Sequence, residues 1–336
     1  MTSTSLPSRI STDIDFDRDG KQISNLVIPY SRNESAWGSL LMPIAVVKNG
    51  AGPTLLLTGG SHGDEYEGPI ALAKLVRTLE PENLRGRIIV LPALNYPALR
   101  SGTRLSPIDG GNMNRVFPGS RTGTVTPMIA HYVYTELLPL ADVVLDMHSG
   151  GSSLEFIPSA ICHRLENPDL MAKTLAALTA FGAPVGLILE ELDMEGMLDS
   201  AVENQGKLFL STELGGGATL SPVALQVAER GLQNLLVHLG MLSGAQPVET
   251  PQTRLMEVPD GSYYVIASEA GIYEPFYQLG DEVRQGEPIG QIHFLENLER
   301  SPQLLIAQQS GTFFCRRVQG KAERGDCVAV IARELP

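Results

Sequence analysis

The chain has 336 residues, 43% of them hydrophobic, with a formal charge of −13 and three cysteines. That length buries a large core and suggests one large domain with a small one. The acidic balance argues against nucleic-acid and anionic-membrane partners, because phosphate binding depends on clustered Lys and Arg. It fits either solubility in a salty cytoplasm or attraction of a cationic substrate. Cys162, Cys315 and Cys327 cannot all pair within one chain and lack CxxC spacing, so they read as buried thiols in a reducing compartment.

Met1 to Asp19 is Ser/Thr-rich and then acidic, without the basic and apolar regions of a signal peptide, and a cytoplasmic protein is expected. No apolar run reaches the roughly 18 residues needed to span a bilayer. Residues 1–45 read as an N-terminal extension that packs on a catalytic domain over 46–243. Within that domain Thr54 to Thr58 is a buried strand, and its Gly59-Gly60 exit turns tightly to present His62 and Glu65. A helix over Ile70 to Leu79 and a strand over Arg87 to Leu91 follow. Val143 to Leu145 is a second strand with a glycine-rich exit, Asp146-Met147-His148-Ser149-Gly150-Gly151. Then come a helix over Leu170 to Phe181, strands over Val185 to Leu189 and Lys207 to Ser211, and a helix over Val223 to Leu239. Pro222 after Ser221 starts the last helix and Gly240 ends it. This alternation predicts an α/β sheet with helices on both faces.

Ser243 to Pro251 is small, polar and twice interrupted by proline, a linker. Over 252–336 helical periodicity vanishes and Gly280-Asp281-Glu282-Val283 is echoed by Gly325-Asp326-Cys327-Val328, which predicts a small all-β module. The pattern resembles the barrel-sandwich fold of lipoyl and biotinyl domains. Gln291 to Gln319, between the two echoes, has no lysine, so a swinging-arm carrier is not expected. The module should sit near the active-site mouth or support a homo-oligomer.

A single histidine at a strand exit is usually a satisfied polar residue. Two such exits together point to a metal. His62, Glu65 and His148 would fill three tetrahedral positions on one Zn2+ per chain and leave the fourth for water, the arrangement of catalytic sites. Asp64 and Glu67 are competing carboxylates in the same segment. Asp146 either orients an imidazole or is a plain strand-end turn residue. His131 and His238 fall in helical stretches, His163 in a loop and His293 in the β module, none with a carboxylate or cysteine at ligand spacing.

His62-x-x-Glu65, the later His148, Asn112-Met113-Asn114-Arg115-Val116-Phe117-Pro118-Gly119 and Thr212-Glu213-Leu214-Gly215-Gly216 resemble, in order over about residues 50 to 240, the succinylglutamate desuccinylase/aspartoacylase family. Those enzymes are zinc amidohydrolases similar to the metallocarboxypeptidases. The resemblance implies a mixed sheet flanked by helices and selects Glu65 over Asp64 and Glu67. It makes Glu213 the general base. Asn114 and Arg115 become the clamp on a substrate α-carboxylate, where the planar guanidinium suits bidentate binding. Asn95 and Arg104, nine residues apart, resemble the segment whose arginine polarises the scissile carbonyl, with Arg100 the rival. Asp109 would buttress one of these arginines at the substrate site.

Tyr30 to Gly38 and Gly63 to Pro69 further resemble the branch that deacetylates N-alpha-acetyl-L-2,4-diaminobutyrate in ectoine degradation. Such a substrate carries a side-chain ammonium, and Glu190, Glu191, Asp193 and Glu195 form an acidic run that could pair it or simply face water. The expectation is a zinc-dependent deacetylase of that small N-acyl amino acid, releasing acetate and diaminobutyrate. The alternatives are a desuccinylase or aspartoacylase acting on another N-acyl amino acid, and a zinc-binding assembly module without catalysis.

Overall fold

A computed structural model describes residues 7–190 and 195–335. Two N-terminal strands, β1 (Gly20–Pro29) and β2 (Ser39–Asn49), form a hairpin, followed by β3 (Thr54–Gly59), α1 (Glu67–Thr78), β4 (Gly86–Leu91), α2 (Tyr96–Ser101) and α3 (Val125–Tyr132). Next come β5 (Val143–His148), β6 (Leu154–Phe156), β7 (Ser159–His163), α4 (Pro168–Phe181), β8 (Val185–Leu189), α5 (Leu198–Glu203), β9 (Leu208–Glu213) and α6 (Pro222–His238). Strands alone complete the chain: β10 (Arg254–Val258), β11 (Tyr264–Ile266), β12 (Gly271–Pro275), β13 (Glu282–Val283), β14 (Pro288–His293), β15 (Gln303–Ile306), β16 (Gly311–Arg317), β17 (Lys321–Ala322) and β18 (Cys327–Glu334).

The large mixed sheet runs β1-β2-β4-β3-β5-β9-β7-β8-β10-β18-β16-β13. Its centre, β4-β3-β5-β9, is parallel. The continuous apolar runs of these strands follow from burial on both faces. Leu55, Leu57, Leu145 and Leu210 pack with Leu72, Phe181 and Leu232 on one side of the sheet. Leu56, Val144 and Phe209, the alternate positions, pack with Leu26, Ile28, Ile129 and Val202 on the other.

Several boundaries move for identifiable reasons. Helix α1 starts at Glu67 rather than Ile70, because Gly68 and Pro69 occupy its first turn, where a missing N–H costs nothing. Strand β9 continues through Thr212 and Glu213, and β5 continues to His148, so that His148 and Glu213 are register partners. His163 ends strand β7 rather than lying in a loop. Helices α2, α3 and α5 lie in stretches where short length masked the apolar period.

The C-terminal strands add a second, antiparallel sheet, β15-β14-β12-β17. The sequence echo is also a structural one. Asp281 Oδ2 accepts from Gln278 N at 2.7 Å, and Asp326 Oδ2 from Glu323 N at 2.9 Å. Gly280 and Asp281 bond both backbone groups of Phe313, as Gly325 and Asp326 bond both of Ala267. Strand β10 joins the large sheet beside β8, and β16 pairs β6.

Gly231 of α6 faces Phe181 of α4, and a Cβ there would lie 2.2 Å from two ring carbons. In an open helix Gly→Ala gains about 1 kcal/mol, whereas forcing a methyl into a filled core costs about 1–3 kcal/mol. Gly231→Ala is therefore expected to lower the denaturant midpoint, and Phe181→Leu in that background to recover part of the loss. Chemical unfolding of the two single variants and the double variant measures this coupling.

Candidate metal centre and active site

The carboxyl ends of β3, β5 and β9 meet at one crevice, the usual place for ligands in sheets of this kind. At the end of β3 the backbone passes through Gly60 at φ +67° and is held by Leu94 N and Asn95 N, which donate to Gly59 O and Gly60 O at 2.8 and 2.9 Å. Gly63 then passes so close to α2 that a Cβ would sit 2.0 Å from the Ala98 carbonyl carbon. This packing fixes the loop that carries His62 and Glu65.

His62 Nδ1 lies 2.7 Å from Glu65 Oε1, and His148 Nδ1 lies 3.0 Å from Glu65 Oε2. The opposite ring nitrogens are each held by an oxygen: His62 Nε2 by Asn112 Oδ1 at 3.1 Å, His148 Nε2 by Asp146 Oδ2 at 2.8 Å. Asp146 in turn accepts from Thr58 Oγ1 at 2.7 Å and Ser61 Oγ at 3.2 Å. Of its two sequence readings, the imidazole partner is the one realised. With Nε2 donating outward, both Nδ1 lone pairs face a carboxylate, an arrangement that needs a proton or a cation between them.

One atom from each of His62, Glu65 and His148 falls within 4.8 Å of the others. Two imidazoles and one carboxylate are the donor set of a catalytic zinc site, and these buried residues fit it. The competing carboxylates are directed at other loops. Asp64 accepts from Ser152 N at 2.8 Å, and Glu67 from Ser221 N at 3.0 Å at the start of α6.

Burial alone would raise Glu65, but His62 and His148 outweigh it and hold its carboxyl far below the usual range. Burial opposes charge on His148, yet Asp146 and Glu65 raise its imidazole well above normal. Glu213 is pushed up to about 8, first by burial and then by the charge of Glu65. Its Oε2 is buried with no hydrogen-bond partner.

These groups line a cavity of about 210 Å3 together with Arg104, Asn114 and Arg115. Arg104 Nη1 is 3.6 Å from Glu65 Oε1, whereas Arg100 stacks over Tyr96 away from the cavity. A short 3-10 turn, Met113–Arg115, capped by the Asn112 side chain, carries Asn114 and Arg115. Asn114 Oδ1 accepts from Leu198 N at 2.9 Å, and Arg115 Nη1 donates to Asn114 O at 2.6 Å.

Two expected substrate residues lie outside the cavity lining. Asn95 is fully buried at the start of α2 and donates to Gly111 O at 3.4 Å. Asp109 accepts from Thr126 N at 2.8 Å, Thr126 Oγ1 at 2.7 Å and Gly111 N at 3.2 Å, so its carboxylate braces this loop instead of an arginine. Of the acidic run, none of the described residues lines this cavity. Glu190 is paired with Arg164 at 3.1 Å, Glu195 lines a separate cavity beside Phe117, and Glu191 and Asp193 lie outside the described residues.

Sequence spacing missed Asn112, although it stands in the quoted motif, and Asp199 and His163, which also line the cavity. His163 Nδ1 meets Glu203 at 3.0 Å and His293 Nε2 meets Glu274 at 2.6 Å, partners too distant in sequence for spacing to find.

Strand β6 closes one side of the crevice. Leu154 and Phe156 line the cavity while β6 pairs β16, so the C-terminal strands reach the mouth of the site. A Cβ at Gly150 or Gly216 would fall 2.1 or 1.9 Å from Leu154 O, which explains the glycines that follow His148 and Glu213.

The model of the succinylglutamate desuccinylase/aspartoacylase catalytic domain matches residues 51–239. The N-alpha-acetyl-L-2,4-diaminobutyric acid deacetylase of Halomonas elongata is 45% identical over 97% of this chain and 95% of its own length. The product-bound structure of the ectoine utilization protein EutE (DoeB) from Ruegeria pomeroyi superposes with a TM-score of 0.94 at 44% identity, covering 98% of this chain and 99% of that one. A succinylglutamate desuccinylase/aspartoacylase from Rhodobacter sphaeroides gives 0.93 at 45% identity, with coverage of 98% and 100%. A domain-length match and whole-chain likeness both coincide with the His-Glu-His crevice, and the chain belongs to the succinylglutamate desuccinylase/aspartoacylase family.

Proposed function

We infer that the chain is a zinc-dependent amidohydrolase that converts N-alpha-acetyl-L-2,4-diaminobutyrate to acetate and L-2,4-diaminobutyrate, a step of ectoine degradation. The observation that carries the activity is the convergence of His62 and His148 Nδ1 on the two oxygens of Glu65, beside the unpartnered Glu213 Oε2. The substrate rests on likeness to the Halomonas elongata deacetylase. A cavity of about 210 Å3 suits a small metabolite better than a peptide.

His62, Glu65 and His148 would hold one zinc ion, which when bound supplies Lewis acidity and a water acidified to a pKa of about 7. Asn112 and Asp146 keep the two rings oriented through Nε2. Glu213 takes a proton from the attacking water and returns it to the departing α-nitrogen, a task suited to a carboxyl raised toward neutrality. Arg104 offers its guanidinium to the carbonyl oxygen as negative charge develops there. Arg115, with Asn114, clamps the α-carboxylate and so fixes the scissile amide against Glu213.

A metallocarboxypeptidase-like core over 46–243, with 1–45 packed on it, accounts for the parallel centre and the antiparallel hairpin beside it. The paired Gly-Asp turns support the barrel-sandwich reading of 252–336. The unpaired Cys162, Cys315 and Cys327 fit a reducing, cytoplasmic compartment. No helix of the described residues is long and apolar enough to cross a membrane.

Replacing His62, Glu65 or His148 by Ala should reduce both bound zinc and activity, as read by metal analysis on purified protein. Stoichiometric zinc in all three variants would refute the ligand set. Glu213→Gln should retain zinc and fold while kcat falls about 100-fold or more. Arg115→Lys should act mainly on KM, because an ammonium cannot reproduce bidentate binding of the α-carboxylate. A panel of acylated amino acids at fixed zinc tests the substrate, and a preference for acyl groups bearing their own carboxylate would overturn the deacetylase assignment.

A further inference from the structure

We propose that Asp199 reads the side-chain ammonium of the substrate and so sets this enzyme's preference for a diamino acid. The proposal rests on the deacetylase reading and adds to it a residue that determines specificity.

Asp199 is the second residue of α5, only 6% exposed, yet it lines the same cavity as Glu213 and Arg115. Its Oδ1 takes both donors of Ser200, the backbone N–H and the hydroxyl. No described residue donates to Oδ2, and Asp199 forms no ion pair with Arg104, Arg115 or any other described cation. A buried carboxylate is ordinarily matched by a cation or several donors, because leaving water without compensation is costly. Here Ser200 holds one oxygen and no described residue donates to the other, in a residue that lines the cavity.

The placement matches the substrate. Leu198 N donates to Asn114 Oδ1 at 2.9 Å, and Phe117 N donates to Gly196 O at 2.9 Å. These bonds latch the start of α5 to the turn bearing Asn114 and Arg115. An amino acid whose α-carboxylate sits on that turn therefore projects its side chain along the wall that Asp199 ends. Met197 and Phe209 on this wall supply apolar surface for two methylenes. Glu190, one of the four acidic residues the sequence offered, already pairs Arg164, so its charge is committed elsewhere.

The same arrangement disfavours a substrate with a second carboxylate, which would meet Asp199 with like charge. Discrimination between family substrates then comes from repulsion as well as attraction.

The test compares acetylated L-2,4-diaminobutyrate with acetylated L-norvaline, a near-isostere that replaces the ammonium by a methyl group. In the wild type, kcat/KM should favour the diamino substrate. In Asp199→Asn, which keeps an oxygen for Ser200, that ratio should fall about 10- to 150-fold, the range of one charge-assisted hydrogen bond. An unchanged ratio in a folded, zinc-loaded variant would overturn the proposal, as would an equal loss on both substrates. A measurement on the wild type alone guards against misfolding of the variant: free L-2,4-diaminobutyrate should inhibit more tightly than free L-norvaline, and equal inhibition would also overturn it. Failure of the wild type to hydrolyse the diamino substrate at all would instead refute the parent reading.

Discussion

The catalytic end of the crevice follows from placing three carboxylates, Glu65, Asp146 and Glu213, around the two imidazoles of His62 and His148. Buried anions must be neutralised by protons, donors or cations. Asp146 meets this need with His148, Thr58 and Ser61, and Glu65 with both histidines and Ser149 N. Glu213 Oε2 has no hydrogen-bond partner, and burial, then the charge of Glu65, pushes its carboxyl up against the pull of His148 and Arg104. A divalent cation beside Glu65 would relieve all three at once. The donors of His62, Glu65 and His148 therefore lie close together in a group that could hold a cation.

That electrostatic arrangement needs rigid support, and the parallel strands provide it. His148 and Glu213 are paired residues on adjacent strands, so their separation is set by the ladder rather than by loop conformation. His62 and Glu65 lie on a loop instead, and there close packing of Gly63 against α2 replaces the ladder as the source of precision. Asp64 and Glu67, which resemble ligands in sequence, bind backbone N–H groups of neighbouring loops and hold the frame.

The C-terminal strands contribute to the site through β6. This short strand borrows its hydrogen bonds from β16 and presents Leu154 and Phe156 to the cavity. Close approach of Leu154 O to Gly150 and Gly216 ties together the exits of β5 and β9. Opposite this wall, the turn bearing Asn114 and Arg115 and the start of α5 are latched into one unit.

Much of this was legible in the amino-acid sequence. Buried parallel strands betray themselves as apolar runs, and the helices α4 and α6 carry explicit signals in Asn167-Pro168 and Ser221-Pro222. The histidines stood out because glycines follow strand exits where function concentrates, and the family motifs named Glu65 and Glu213 among competing acids. What sequence could not decide was which polar groups still have bonding capacity to offer. Asp109 belongs to a motif-rich segment, but neighbouring backbone and hydroxyl groups claim its carboxylate, and Asn95 is buried outside the cavity with its amide N donating to Gly111 O. Glu190 is claimed by Arg164, while Asp199, isolated in sequence from every motif, lines the cavity and has no described ion-pair partner. Local pattern determines strands, helices and turns because those depend on near neighbours. Partner assignment depends on residues many positions apart brought together by the sheet, and only the tertiary structure decides it.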